Sequence, residues 1–196
     1  VMFFEARKSR GLHHLHGLIH AITNKKVVKF TYQKFWTDET FERTVEPYAL
    51  KEFRHRWYLL ARDFKSDGSF FIKIFGLDRI SELEITKTSF QKEKCDIQKM
   101  FENSFGIINA DDEKPQKIRL SFDPVQANYI KALPIHHSQQ VISENETETI
   151  FEVFLVPTFD FEREIISYGQ RVKVLEPLSF KEKMRSEIEN MLQNYS

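Results

Sequence analysis

Arg56-Trp57-Tyr58-Leu59-Leu60-Ala61-Arg62-Asp63 is the stretch that decides the fold. It is an aromatic and aliphatic strand edged by two arginines. Side chains alternate across a strand, so Trp57, Leu59 and Ala61 share one face while Tyr58, Leu60 and Arg62 share the other. One face can fill a core and the other is left to meet a ligand. Downstream, Phe75-Gly76-Leu77-Asp78-Arg79-Ile80 brings an Asp-Arg pair to a strand end.

Working outward, Leu12, Leu15, Leu18, Ile19 and Ile22 recur at helical spacing up to Asn24 and predict a short amphipathic helix. From Val27 to Thr86 the period changes to two, with turn signals at Thr37-Asp38-Glu39 and Ser66-Asp67-Gly68-Ser69. That predicts a hairpin-rich barrel of about five strands. Glu93 to Gly106 reads as a helix with Ile97, Met100, Phe101 and Phe105 on one stripe and Gly106 as its stop. Asn109 to Pro115 is polar and ends in proline, which places a connection there.

The second unit follows as strand Lys117 to Phe122, helix Pro124 to Leu133, strand His137 to Ser143, strand Thr149 to Val156, helix Phe161 to Tyr168 and strand Val172 to Leu175. This is a ferredoxin-like βαββαβ order. Asp123-Pro124 is a capped helix start, and Gly169 suits a left-handed helix end. A last amphipathic helix, Ser179 to Tyr195, carries Phe180, Met184, Ile188, Met191 and Leu192.

Five segments together resemble a WYL domain: the helix around Leu18 to Ile22, Val27 to Tyr32, Arg43 to Tyr48, the Trp57-Tyr58-Leu59 strand, and Leu77-Asp78-Arg79-Ile80. The second half is similar, in element order, to the C-terminal extension called WCX. The resemblance implies an α+β chain with an SH3/Sm-like β-barrel at 25–92 and a ferredoxin-like domain at 116–196. Residues 1–24 are then linker and short helix, and 93–115 are connecting helix and linker. It further implies the ligand-sensing region of a bacterial transcription regulator. Val1 is not an initiator, so the piece is expected to follow a winged helix that alone reaches operator DNA.

The single cysteine, Cys95, excludes a disulfide framework and a cysteine-rich zinc site, and nothing reads as a signal peptide or membrane span. A cytoplasmic protein is expected. Zero net charge hides an asymmetry: residues 1–92 hold 17 Lys and Arg against 11 Asp and Glu, a net +6, and residues 93–196 hold 12 against 18, a net −6. A basic half suits an anion, either a nucleotide or single-stranded nucleic acid, while an acidic half suits assembly. The resemblance implies a homodimer, with the C-terminal domain as its expected contact through exposed strand edges and the terminal helix.

Arg79 leads the candidate ligand residues, because apolar neighbours fix a planar guanidinium that can clamp phosphate. A structural pair with Asp78 or Asp63 is the competing expectation. Arg54, His55, Arg56 and Arg62 crowd the strand around Tyr58, cations beside a ring on which a base can stack. Tyr32, Arg43, Lys73 and Phe75 lie on neighbouring strands and rank below. Trp57 is assigned to the core. His13, His14, His16 and His20 lack the carboxylate or cysteine that would complete a metal set. The chain has no glycine-rich phosphate loop and no nucleophile elbow. No catalytic residue and no cofactor are therefore assigned; a hydrolase built on His55, Asp63 and Cys95 would need those side chains to meet.

Overall fold

The computed structural model describes residues 9–64, 69–109 and 113–195. The chain divides into two compact units, Val1–Cys95 and Asp96–Ser196, each combining helices with one antiparallel sheet. The turn expected at Ser66 to Gly68, most of the opening segment before Arg10, and Ala110 to Asp112 of the expected connection lie outside the described residues.

In the first unit a 3-10 turn, Leu12–His14, runs into α1 (Leu15–Thr23). Five strands follow: β1 (Lys26–Gln33), β2 (Thr40–Phe53), β3 (Arg56–Phe64), β4 (Phe70–Gly76) and β5 (Ile80–Ser89), in the sheet order β4-β3-β2-β1-β5. Strand β2 is long because it serves two neighbours. Its first half pairs with β1 through Val28↔Val45, and its second with β3 through Leu50↔Leu59. The register slips between Pro47 and Ala49, where a residue without an N–H interrupts the ladder and the strand changes partner.

Leu18 and Ala21 of α1 pack on Val28, Phe30, Val45, Leu59, Ala61 and Phe75, all buried, with Trp57 partly buried against them. The periodicity around Trp57 therefore named its inner row correctly. The opposite row is less open than expected, since Leu60 is fully buried and Tyr58 half-buried.

The second unit corrects one helix. In place of a run from Glu93 to Gly106 there is a single turn, α2 (Ile97–Met100). The Asp96 side chain accepts from the Lys99 amide at 3.1 Å and so sets the start. After Met100 the chain closes in short turns and then bonds to the rest of the unit: Ser104 bridges Val156, and the Ile107 amide donates to Asp160 at 2.9 Å. Gly106 makes the bend at φ +83°, and Gly169 ends a later helix at φ +56°, both left-handed positions that favour glycine.

Next come β6 (Gln116–Phe122), α3 (Pro124–Ala132), β7 (Gln140–Glu144), β8 (Thr149–Leu155), α4 (Phe159–Ser167), β9 (Val172–Glu176) and α5 (Leu178–Gln193), in the sheet order β7-β8-β6-β9. The Asp123 side chain caps α3 by accepting from the Gln126 amide at 2.8 Å, with Pro124 following it. Strand β7 starts three residues later than expected. The Ser138 hydroxyl accepts from the Phe154 amide of β8 in place of a backbone pair, and the Gln139 side chain accepts from the Ile135 amide, which holds the segment as a turn. The core is Ile118, Leu120, Phe122, Phe151, Val153 and Leu155 of the sheet under Phe161, Phe180 and Met184.

Candidate functional site

The strand registers arrange the first unit's inner face as four rows running in the same direction. Directly opposed residues share a face. From the pairs Val28↔Val45, Phe30↔Arg43, Tyr32↔Phe41, Leu59↔Phe75, Ala61↔Lys73 and Asp63↔Phe71, the inner rows read Val28-Phe30-Tyr32, Val45-Arg43-Phe41, Leu59-Ala61-Asp63 and Phe75-Lys73-Phe71. Three of the rows pass from buried core to charge in the same direction, while Val28-Phe30-Tyr32 stays buried to its end. The hairpin tips carrying Trp36 and Phe70 project from that same end, with Trp36 95% exposed.

Asp63 stands among these groups, its side chain only 8% exposed, with Lys73 Nζ at 3.5 Å and an Arg43 guanidinium nitrogen at 3.8 Å. Two cations share one carboxylate. The Lys73 pKa is lowered, first by burial and then by the Arg43 charge, with Asp63 opposing. Lys34 Nζ lies 4.4 Å from the Phe41 ring centroid and adds to the same field.

Asp78 holds a second pair. Its side chain, 11% exposed, bonds the Arg56 guanidinium and has Arg79 Nε at 4.0 Å. The Arg79 guanidinium lies between two rings, 5.1 Å from the Tyr32 centroid and 5.3 Å from that of Phe35. Gly76 lets it approach the backbone: a Cβ there would stand 2.6 Å from Asp78 Oδ1 and 3.1 Å from Arg79 Nε. The Gly76 amide donates to the Tyr32 hydroxyl at 3.3 Å. Burial raises the Tyr32 pKa, against the pull of the Arg79 charge.

Of the residues singled out in the sequence, Arg56, Arg79 and Tyr32 thus gather around Asp78, with Tyr58 near enough to act electrostatically on Tyr32 and Arg56. Arg43 and Lys73 gather around Asp63. Arg62 joins neither group. It faces outward, ion-paired with Glu46 at 2.6 Å and Glu93 at 2.8 Å, with its side chain 12% exposed. Arg56 and Arg62 are six residues apart on one strand face, roughly 20 Å at about 3.3 Å per residue, so one small ligand cannot touch both. Phe75 is fully buried and belongs to the core, where it cannot line a groove. Arg54 and His55 form the exposed β2–β3 turn, both at positive φ, where the Glu52 carboxylate accepts from the His55 amide.

His55 and Asp63 lie at opposite ends of β3, which separates the acid and base that the hydrolase reading required. Among the described residues no group of three His, Cys, Asp or Glu is placed to hold a metal. His14 instead hydrogen-bonds the Ile80 carbonyl oxygen through Nε2 at 3.0 Å. Lys34, Phe41 and Phe71 were missed by sequence reasoning, and Asp63, expected as a partner for Arg79, pairs with Arg43 and Lys73 instead. The signal was present in the alternation that continues Phe30-Tyr32-Lys34 and Ala61-Asp63, but its meaning needs the register.

Residues 13–85 match the WYL domain and residues 114–192 match the WCX domain. Among solved structures, the chain is similar to Proteasome accessory factor B/C (PafBC) of Arthrobacter aurescens, at 18% identity and a TM-score of 0.39, covering 98% of this chain and 28% of that one. It is also similar to a CRISPR Cas-related protein, at 14% identity and a TM-score of 0.54, covering 94% of this chain and 52% of that one. The second likeness is one of fold. The chain spans less than two thirds of either protein, and no curated protein matches it.

Proposed function

From a chain that joins a WYL domain to a WCX domain, modules typical of the ligand-sensing regions of bacterial transcriptional regulators, we propose that the first unit binds an anionic ligand bearing an unpaired base. The ligand is a nucleotide or the end of a short single strand. The observation that carries this reading is the charge count of the two clusters, one around Asp63 and one around Asp78. Four cations, Arg43, Lys73, Arg56 and Arg79, stand on two carboxylates, Asp63 and Asp78. Burial and, after it, the Arg43 charge lower the Lys73 pKa, and an arriving phosphate would offset the second of these.

In this reading the five-stranded sheet is the SH3-like barrel and the second unit the ferredoxin-like domain of such a regulator. A winged helix preceding this segment contacts the operator. Ligand binding acts on it by favouring one arrangement of a dimer, since a ligand shifts an equilibrium only by its differential affinity. Support for a two-fold contact comes from edge strand β7, all five of whose residues are exposed, Val141 and Ile142 among them.

A second reading, direct binding of single-stranded nucleic acid without a switch, is favoured by one feature: exposed rings stand beside the cations, Phe35 near Arg79 and Phe71 near Lys73, as a stacking platform. Titration of the purified chain with a nucleoside monophosphate and with a short deoxyoligonucleotide, at low and near-physiological salt, separates the two. A sensor shows saturable, chemically selective binding that Arg79→Ala weakens. A strand binder shows no preference for one nucleotide and a log-log salt slope of about −0.7 per phosphate contacted. Absence of saturable binding to either probe overturns both.

A further inference from the structure

Helix α5 carries its apolar stripe beyond the core on which it packs. Phe180 and Met184 are buried, whereas Ile188 and Met191, one and two turns further on, are 56% and 42% exposed. Beside them runs a cavity of about 690 Å³ between α5, the end of α4 and β9, which is the edge strand of its sheet. Its apolar lining includes Ile166, Val172, Val174, Met184, Ile188 and Met191. The volume falls within the roughly 300–1,000 Å³ usual for small-molecule sites.

The rim is cationic. Lys173, Lys181 and Arg185 border the cavity against one carboxylate, Glu189, which Arg185 already neutralises at 2.9 Å. Lys173 and Lys181 make no ion pair among the described residues. This excess positive charge lies in the half of the sequence that is acidic overall, so it is local to the cavity and not the background of the domain. An apolar trough with two unneutralised ammonium groups at its lip matches a molecule with an apolar chain and one anionic head.

We propose that this cavity is a binding site for an anionic amphiphile, a long-chain carboxylate, whose chain lies along Val174, Met184 and Ile188 and whose head meets Lys173 and Lys181. The site is in the second unit and does not depend on the nucleotide reading of the first. The chain would cover side chains that α5 leaves in water, which supplies the affinity, and the lysines would select the sign of the head group.

The test is calorimetric titration of the whole chain with dodecanoate, and with dodecyltrimethylammonium as a probe of the same chain length and opposite charge, both below their micellar concentrations. Dodecanoate is expected to bind one to one and at least tenfold more tightly than the cation. Lys173→Glu with Lys181→Glu should remove that preference while circular dichroism stays unchanged, and Ile188→Asp should weaken both probes. Equal affinity for the two probes, no binding of dodecanoate, or a preference that survives the lysine reversal would overturn the proposal. So would sedimentation showing that Ile188→Asp abolishes a dimer formed without amphiphile, because the cavity would then be filled by a second copy.

Discussion

The Arg79 guanidinium sits over the Tyr32 ring, 5.1 Å from its centroid, and so ties the end of a 3-10 turn to the inner row of β1. The ring and the nearby Gly76 backbone hold a charge that Asp78, already bonded to Arg56, only partly neutralises. A planar cation fixed in this way is ready for a planar or phosphorylated ligand before either arrives, which lowers the ordering cost of binding.

Arg79→Ala is expected to weaken nucleotide binding about tenfold and to lower folding stability by about 1 kcal/mol, through loss of the stacked contact. Arg79→Lys should recover little of the affinity, since an ammonium group keeps the charge and loses the plane. Titration and urea denaturation of the two variants measure both effects. Full recovery by lysine would reduce the role of Arg79 to charge alone.

Gly76→Ala places a Cβ 2.6 Å from Asp78 Oδ1 and against the Arg79 guanidinium. Both side chains must shift. Stability should fall by about 1–2 kcal/mol, the range of a mild overpacking, and ligand affinity should fall with it. An alanine variant that binds as tightly as the parent would mean that Arg79 does not need its present position.

Arg62→Met should behave differently. It leaves Glu46, whose side chain is 12% exposed, without its 2.6 Å partner. The expected loss is about 3 kcal/mol of stability with little change in ligand affinity. Adding Glu46→Gln should restore much of the stability, which a double-mutant denaturation series can measure.

The His136 pKa is lowered to about 4, first by burial and then by the neighbouring His137, with Nδ1 held 2.7 Å from the Ser138 hydroxyl. The unfolded chain, with the ordinary value of 6.5, binds the extra proton first. Stability is therefore fully present above pH 6.5 and declines as pH falls toward 4, by at most about 3 kcal/mol. His14, whose pKa is also lowered chiefly by burial, acts in the same direction in the first unit. His136→Gln should flatten part of the decline in melting temperature across that window; an unchanged slope would sever it from this histidine.

Much of the fold was legible in the sequence because its signals are local. Alternation around Trp57 marked the inner row of β3, and Asp123-Pro124 and Gly169 marked helix ends through groups within a few residues of each other. The helix expected from Glu93 failed for the opposite reason. Ile97, Met100, Phe101 and Phe105 have helical spacing, but Ser104 and Ile107 bond to Val156 and Asp160, more than fifty residues away. A local pattern cannot weigh a distant partner.

The sequence by itself determined the order of strands and helices, the basic character of the first half, and which residue types were available to hold an anion. Tertiary structure decided which of them share a carboxylate. Arg62 and Arg79 look alike in sequence, yet Arg62 is taken up by Glu46 and Glu93 while Arg79 rests on Tyr32 beside a carboxylate already engaged. The physical reason is that side-chain period follows from one strand alone, whereas register, and with it every ion pair across the sheet, depends on how separate strands bond.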